Sequence, residues 1–201
     1  MLFFCLKLLV VFIISYIIGS IPTGYLIVKG KTGEDIRKVG SGSTGATNVK
    51  RVLGKKWFFI VMFLDALKGA LPVLLASYFI GGSFYGIAPV IAAVAVLIGH
   101  SKSIFLGFQG GKSVASGVGT VLALNWSVGL LIAVIWSIIT YSTKYVSVGS
   151  IIALAISPVL MYLFHAPLAY VAYCTIGAFY IIYLHRTNIQ RLIAGNENKV
   201  R

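Results

Sequence analysis

Long apolar runs separated by short polar stretches dominate this chain. They lie at about residues 3 to 28, 57 to 80, 84 to 100, 145 to 164 and 167 to 184. As helices, each can cross a hydrocarbon core of about 30 Å with tilt or flanking help. The stretch from Ser113 to Thr143 is too long for one ordinary crossing and short for two, since helices of roughly 15 residues rise only about 23 Å each. Asn125, followed by Trp126 and Ser127, supplies a turn and interface signal in its middle. The N-terminal apolar run is too long for a signal peptide and lacks a small-residue cleavage site, so it reads as the first span. The pattern predicts an all-α, polytopic integral membrane bundle forming a single domain over residues 1–201.

Charge chooses between six and seven crossings. With seven, the loop at 29 to 56 (Lys29, Lys31, Arg37, Lys38, Lys50, Arg51, Lys55, Lys56), the loop at 101 to 112 (Lys102, Lys112), Lys144 and the tail (Arg186, Arg191, Lys199, Arg201) share one side. The opposite turns, near Gly81 to Ser83, Asn125 and His165 to Pro167, hold no Lys or Arg. Six crossings would send the basic tail to the far face, against the positive-inside rule. The expectation is therefore seven transmembrane helices, N-terminus outside and C-terminus cytoplasmic. No inverted repeat of the kind common in secondary transporters is legible.

Composition agrees: the 201 residues are 59% hydrophobic and 10% charged, so lipid is the solvent. Seventeen Lys and Arg against four Asp and Glu give a net charge of +13, which suits anionic lipid headgroups or an anionic substrate. Nucleic acid is not expected as a partner, because the cations are strung between apolar runs rather than gathered in a soluble tract. Cys5 and Cys174 sit in apolar stretches with no CxxC spacing and read as packing residues. With so few carboxylates no divalent metal is expected, nor any other cofactor.

Candidate chemistry gathers in the basic segments. Gly40 to Arg51, GSGSTGATNVKR, offers a permissive backbone, the hydroxyls of Ser41, Ser43, Thr44 and Thr47, the Asn48 amide, and the charges of Lys50 and Arg51. Such a segment can wrap an oxyanion; the alternative is a flexible linker. It is not a Walker A loop, since GxxxxGK[ST] is absent. Gly99 to Ser113, GHSKSIFLGFQGGKS, ends with Gly110, Gly111 and Lys112 just before an apolar helix, whose first-turn N–H groups favour a phosphate. Lys112 as a plain interface anchor is the alternative. His100, at the end of the third span, has no partner evident in sequence and reads more readily as a structural histidine. In LHRTNIQRLIAGNE, Leu184 to Glu197, His185, Asn188 and Arg191 share a helical face, either as a site or as a solvated amphipathic tail. Ser147 and Ser150 open the sixth span at the same depth. Asp65 and Lys68, three apart within the second span, read as a structural ion pair in preference to a proton relay.

Four strings together, GSIPTGYL (Gly19 to Leu26), VGSGSTGATNVKR (Val39 to Arg51), GHSKSIFLGFQGGKS and NIQRLIAGNE, resemble the membrane acylphosphate:glycerol-3-phosphate acyltransferase family, the PlsY family of bacteria. The resemblance covers nearly the whole chain in the family's order. Ser43 stands where that family usually has Asn, Ser103 where Pro is usual, Gln109 where Lys is usual and Ser113 where Gly is usual. It implies a multi-pass enzyme of the bacterial cytoplasmic (inner) membrane with its active site facing the cytoplasm. The implied reaction moves an acyl group from acyl phosphate to the sn-1 hydroxyl of glycerol 3-phosphate, giving lysophosphatidate and phosphate for phospholipid biosynthesis.

An acyl phosphate is already activated, so the reaction needs orientation, charge stabilisation and proton removal but no strong protein nucleophile. The chain has no GxSxG elbow and no HxxxxD string. Similarity implies Arg51 and Lys112 as a cationic clamp and His185 as the third catalytic residue. The resemblance adds Ser41, Ser150 and Asn188 as substrate-binding residues, and the motifs themselves add Gly40, Gly42, Ser43, Thr44, Asn48, Gly110 and Gly111. Either His185 or a substrate phosphate takes the hydroxyl proton. The rival from another class is a small anion or phosphate-ester transporter, using the same glycine and cation clusters as a gate.

Overall fold

The computed structural model describes residues 1–80 and 86–199. Its described residues contain ten α-helices, two short 3₁₀ turns at Ile36–Lys38 and Ile104–Leu106, and no strand beyond an isolated bridge between Ser103 and Gln109. The helices are α1 (Leu2–Ser20), α2 (Thr23–Thr32), α3 (Ala46–Leu53), α4 (Lys55–Ile80), α5 (Ile87–Ser101), α6 (Val114–Leu124), α7 (Trp126–Thr143), α8 (Val146–Leu163), α9 (Leu168–Leu184) and α10 (Arg186–Ile193). The all-α expectation is met. The turn expected near Gly81 to Ser83 and the terminal Arg201 lie outside the described residues.

Four segments are long and apolar enough to cross a membrane: Leu2–Thr32, Lys55–Ile80, Trp126–Thr143 and Val146–Leu163. Among the described residues the bent pair α9 and α10, with 59° between them, counts as a fifth if the two are taken as one span, and α5 and α6 are shorter apolar helices. Asn125 divides the ambiguous stretch as its sequence suggests: its Oδ1 accepts the Val128 N–H at 3.1 Å, capping α7. The two halves are unequal, 11 residues in α6 and 18 in α7.

The chain groups into two compact units, Met1–Thr120 and Val121 onward. In the first unit the initial apolar run is not one helix. Pro22 has no N–H and disfavours helical geometry at Ile21, where ψ is 113°. Carbonyls freed by such a break inside lipid need new donors. The Lys68 ammonium donates to Ile21 O at 2.7 Å and the Ser103 hydroxyl to Ser20 O at 2.6 Å. Lys68 is also paired with Asp65 at 2.8 Å, and the Asp65 carboxylate accepts the Thr23 hydroxyl at 2.9 Å. The ion pair expected from the spacing of Asp65 and Lys68 is formed, and its ammonium reaches the backbone at the Pro22 break.

Small residues bring the helices of this unit close, as is usual where lipid provides no hydrophobic drive between helices. A side chain on Gly19 would meet the backbone of Val96 on α5, and one on Gly69 or Gly119 would meet the facing backbone between α4 and α6. A small apolar core of Val28, Ile36, Val49 and Val61 packs the loop helix α3 against α2 and α4. In the second unit α8 contacts α7 and α9. Pro158 lies inside α8, and just before it the Ser157 hydroxyl donates to Leu154 O at 2.8 Å.

Candidate active site

The glycine-rich segment between α2 and α4 is a loop followed by a helix rather than a loop throughout, because α3 starts at Ala46. Asn48, on that helix and 1% exposed, organises the loop in front of it. Its Oδ1 accepts the Ser41 N–H at 3.0 Å, and its Nδ2 lies within donor reach of Val39 O (2.9 Å), Ser43 O (3.0 Å) and Ile36 O (3.3 Å). One buried amide thereby holds the whole turn from Ile36 to Ser43. Gly40 and Gly42 adopt φ of 61° and 69°, a region that glycine enters without penalty. The Gly42 N–H donates to Val39 O and the Gly45 N–H to the Ser43 hydroxyl. The loop's N–H groups at Ser41 and Gly42 thus serve the turn itself. Thr44 is buried, while Ser41 and Arg51 are exposed.

Asp35 and Arg37 brace the same region. Their side chains pair at 2.6 Å, Arg37 Nη1 reaches Leu106 O at 3.4 Å, and its guanidinium lies over the Tyr25 ring. The hydrogen bonds from Arg37 hold the Asp35 carboxyl down at about 2.

The second glycine segment folds onto the end of α5. The Gly111 N–H donates to His100 O at 3.0 Å, and the Phe108 N–H donates to Ser103 O at 2.8 Å, closing the loop that carries Phe105 and Phe108 outward. Lys112 is half-buried and follows directly. Ser113 holds φ at +58°, a conformation natural to the glycine usual at this position, and its hydroxyl donates to Leu97 O at 2.8 Å. Ser103, in place of a usual proline, keeps φ at −65°, the value proline enforces.

In the second unit, His185 occupies the bend between α9 and α10 and is buried. Its Nδ1 lies 2.8 Å from Ile181 O. A carbonyl only accepts, so Nδ1 is the donor in this contact. Asn188 and Arg191, one and two helical turns on, both reach back from α10 to Glu197. Asn188 Nδ2 lies 2.6 Å from Oε1 and Arg191 Nε 2.7 Å from Oε2. Ser147, at the start of α8, donates to the same Oε1 at 2.9 Å. Burial by itself would raise the Glu197 carboxyl; the bonds from Asn188, Arg191 and Ser147 and the Arg191 charge hold it below its ordinary value.

Glu197 is the neighbour of Asn188 and Arg191 that sequence reasoning missed. It stands 9 residues from Asn188 and 50 from Ser147, outside any helical spacing. The only sequence signal was its rarity as one of four acidic residues. Ser150, predicted to bind substrate, accepts the Trp136 Nε1–H at 3.2 Å and donates to Val146 O at 2.8 Å.

Among the described residues, helices with bilayer-length apolar segments define an all-α fold of the membrane-protein class. Residues 9–195 match the family described as glycerol-3-phosphate acyltransferase. The glycerol-3-phosphate acyltransferase of Nostoc sp. (strain PCC 7120) is 45% identical over 205 residues, covering 94% of this chain and 90% of the relative. That of Acholeplasma laidlawii is 39% identical over 219 residues, covering 97% and 94%. A crystal structure of PlsY (YgiH), an integral membrane glycerol 3-phosphate acyltransferase in its glycerol 3-phosphate form, superposes with a TM-score of 0.91 at 38% identity, covering 97% of this chain and 96% of that one. The lysophosphatidic acid form of PlsY gives 0.88 at 36% identity, with the same coverage. The chain belongs to the glycerol-3-phosphate acyltransferase family and is an integral membrane acyltransferase.

Proposed function

We propose that the enzyme transfers an acyl group from acyl phosphate to the sn-1 hydroxyl of glycerol 3-phosphate, releasing 1-acylglycerol 3-phosphate and inorganic phosphate. The hydroxyl oxygen forms the new ester bond as the bond between acyl carbon and phosphate oxygen breaks, and the hydroxyl proton passes to a base. The observation that carries this reading is the likeness to a solved enzyme described in both a glycerol 3-phosphate and a lysophosphatidic acid form, the acceptor and product of this reaction. An activated donor fits a chain without a nucleophile elbow, because orientation and charge stabilisation then suffice.

Arg51 and Lys112 are the proposed cationic clamp. Arg51 offers a planar fork matched to a phosphate, and Lys112 a compact charge at the entrance to α6. Ser41, Ser43 and Thr44 with Gly40 and Gly42 form the wall beside Arg51, and Asn48 sets its shape. Gly110 and Gly111 allow close approach of backbone to phosphate beside Lys112. His185, with Asn188 and the second-unit Ser150, serves the glycerol 3-phosphate side. Donation from Nδ1 to Ile181 O is compatible with Nε2 acting as the general base in a neutral ring.

The proposed setting is a single domain of seven crossings in a bacterial cytoplasmic membrane. α1 with α2, α4, α5, α6, α7, α8 and α9 supply the crossings, with the N-terminus outside and the basic motifs at the cytoplasmic face. The acyl chain stays in the lipid.

Arg51→Ala and Lys112→Ala test the clamp in purified protein. Each is expected to remove nearly all turnover with expression intact. Retention of more than about a tenth of activity, a loss below about 1.4 kcal/mol, counts against it. His185→Gln settles the base: a collapse in kcat assigns the proton to His185, and a near-normal kcat assigns it to a substrate phosphate.

A further inference from the structure

His100 is a buried imidazole within the first unit that the chemistry above does not use. It ends α5, is 7% exposed, and meets polar groups from two other helices. Its Nδ1 lies 3.1 Å from the Ser116 hydroxyl on α6 and 3.8 Å from Asp65 Oδ1 on α4, the carboxylate already paired with Lys68. The Ser116 hydrogen bond anchors Nδ1, with the Asp65 carboxylate nearby. The other edge of the ring faces the second glycine segment. A side chain on Gly111 would run into His100 Nε2, and one on Gly110 would run into His100 O. The Gly111 N–H is bonded to that same carbonyl at 3.0 Å.

Both glycines therefore lie flat against one residue, their backbone seated on its ring and carbonyl. Lys112 leaves this floor at the next position, and Ser113 is pinned to Leu97 O one turn earlier on the same α5. The path from Gly110 to Ser113 is thus templated by the last two turns of α5, with the His100 ring as its centre. Removing the ring takes away the surface that defines where the Gly111 backbone and the Lys112 stem run. Asp65, Lys68 and Ser116 are the means by which the break at Pro22 and the glycine segment share one rigid support.

We infer that His100 is a positioning residue for substrate phosphate: its ring, anchored by Ser116, is the template on which Gly110, Gly111 and Lys112 adopt their binding conformation. This rests on the proposed role of that segment in binding phosphate. His100 itself touches neither substrate.

The test is Michaelis kinetics of the purified enzyme in detergent, with glycerol 3-phosphate and acyl phosphate each varied, and thermal unfolding measured in parallel. His100→Ala is expected to raise KM for one of the two phosphate substrates by about tenfold or more while kcat changes much less. His100→Gln, whose amide reaches toward Gly111, should recover most of that loss. Gly111→Ala should raise the same KM, because its methyl meets the ring. In the His100→Ala background the methyl has room, so the double variant should be no worse than His100→Ala by itself. An unchanged KM in folded His100→Ala, with only melting temperature or kcat lowered, overturns the inference; so does additivity of the two substitutions. If His100→Ala does not fold, His100→Gln compared with Gly111→Ala decides: a normal KM in Gly111→Ala overturns it. Lys112→Ala separates the two levels of the argument. Activity retained there removes the phosphate-binding reading itself, whereas Lys112→Ala inactive beside His100→Ala with normal KM removes the positioning role alone.

Discussion

Lys68→Met tests the link between a proline break and an intramembrane ion pair. The substitution keeps most of the side-chain volume and removes the ammonium. It leaves the Asp65 carboxylate, 2% exposed, with the Thr23 hydroxyl but without its counter-charge. Breaking a buried pair on one side costs about 3 to 5 kcal/mol. The Ile21 carbonyl also loses the donor at 2.7 Å but keeps the Thr23 N–H at 3.0 Å, so this loss adds only about 1 kcal/mol. Replacing both partners, as Asp65→Leu with Lys68→Met, removes the stranded charge and leaves only the carbonyl cost. The double variant should therefore be more stable than Lys68→Met, with a coupling of at least about 2 kcal/mol. Reversible denaturation in bicelles or a detergent that supports refolding measures all four species. If Lys68→Met falls within about 1 kcal/mol of the parent, or if the single effects add, the ion pair does not support the break as described.

Ser113 is a second point of sharp prediction. Its left-handed backbone costs about 1 to 2 kcal/mol for a residue with a Cβ, and its hydroxyl bond to Leu97 O returns about 1 kcal/mol. Ser113→Gly should be close to neutral in denaturant, while Ser113→Ala, which keeps the strain and loses the bond, should be destabilised by about 1 kcal/mol; equal stability of the two variants contradicts the geometry. Glu197→Gln leaves the shape but removes the charge that Arg191 faces, and should lower activity together with the thermal stability of the α10 tail. The Glu197 carboxyl is depressed in the folded state, so its stabilisation is fully present above the ordinary carboxylate value and is lost as pH falls through its lower folded value. An acid-side loss of stability that is the same in parent and Glu197→Gln argues against that contribution.

The elements legible in the sequence were those set by local pattern. Runs of apolar residues gave the helices, and Asn125 with Trp126 gave the division of the longest run because both its capping chemistry and its interface preference are local. Asp65 and Lys68 were readable as a pair because three residues bring side chains to one helical face. The break at Pro22 was not read, since the apolar run continues through it and Lys68, which donates to Ile21 O, is 47 residues from that carbonyl. His100 and Glu197 were opaque for the same reason. Each gains its meaning from partners on other segments, Ser116 and Gly111 for one, Ser147 and Asn188 for the other, and no periodicity encodes such meetings. Asn48 was read as a group offered to substrate because a polar amide in a glycine loop suggests ligand binding. Its four contacts within the loop show how readily such an amide is used to build the loop itself.

The central claim is the transfer of an acyl group from acyl phosphate to glycerol 3-phosphate. It is tested most directly with the purified protein, labelled glycerol 3-phosphate, and acyl phosphate, acyl-CoA or acyl carrier protein offered separately as donor. The account predicts 1-acylglycerol 3-phosphate, with stoichiometric release of phosphate, from acyl phosphate alone. Product formed from acyl-CoA or acyl carrier protein but not from acyl phosphate, or an ester at the sn-2 hydroxyl, would contradict it.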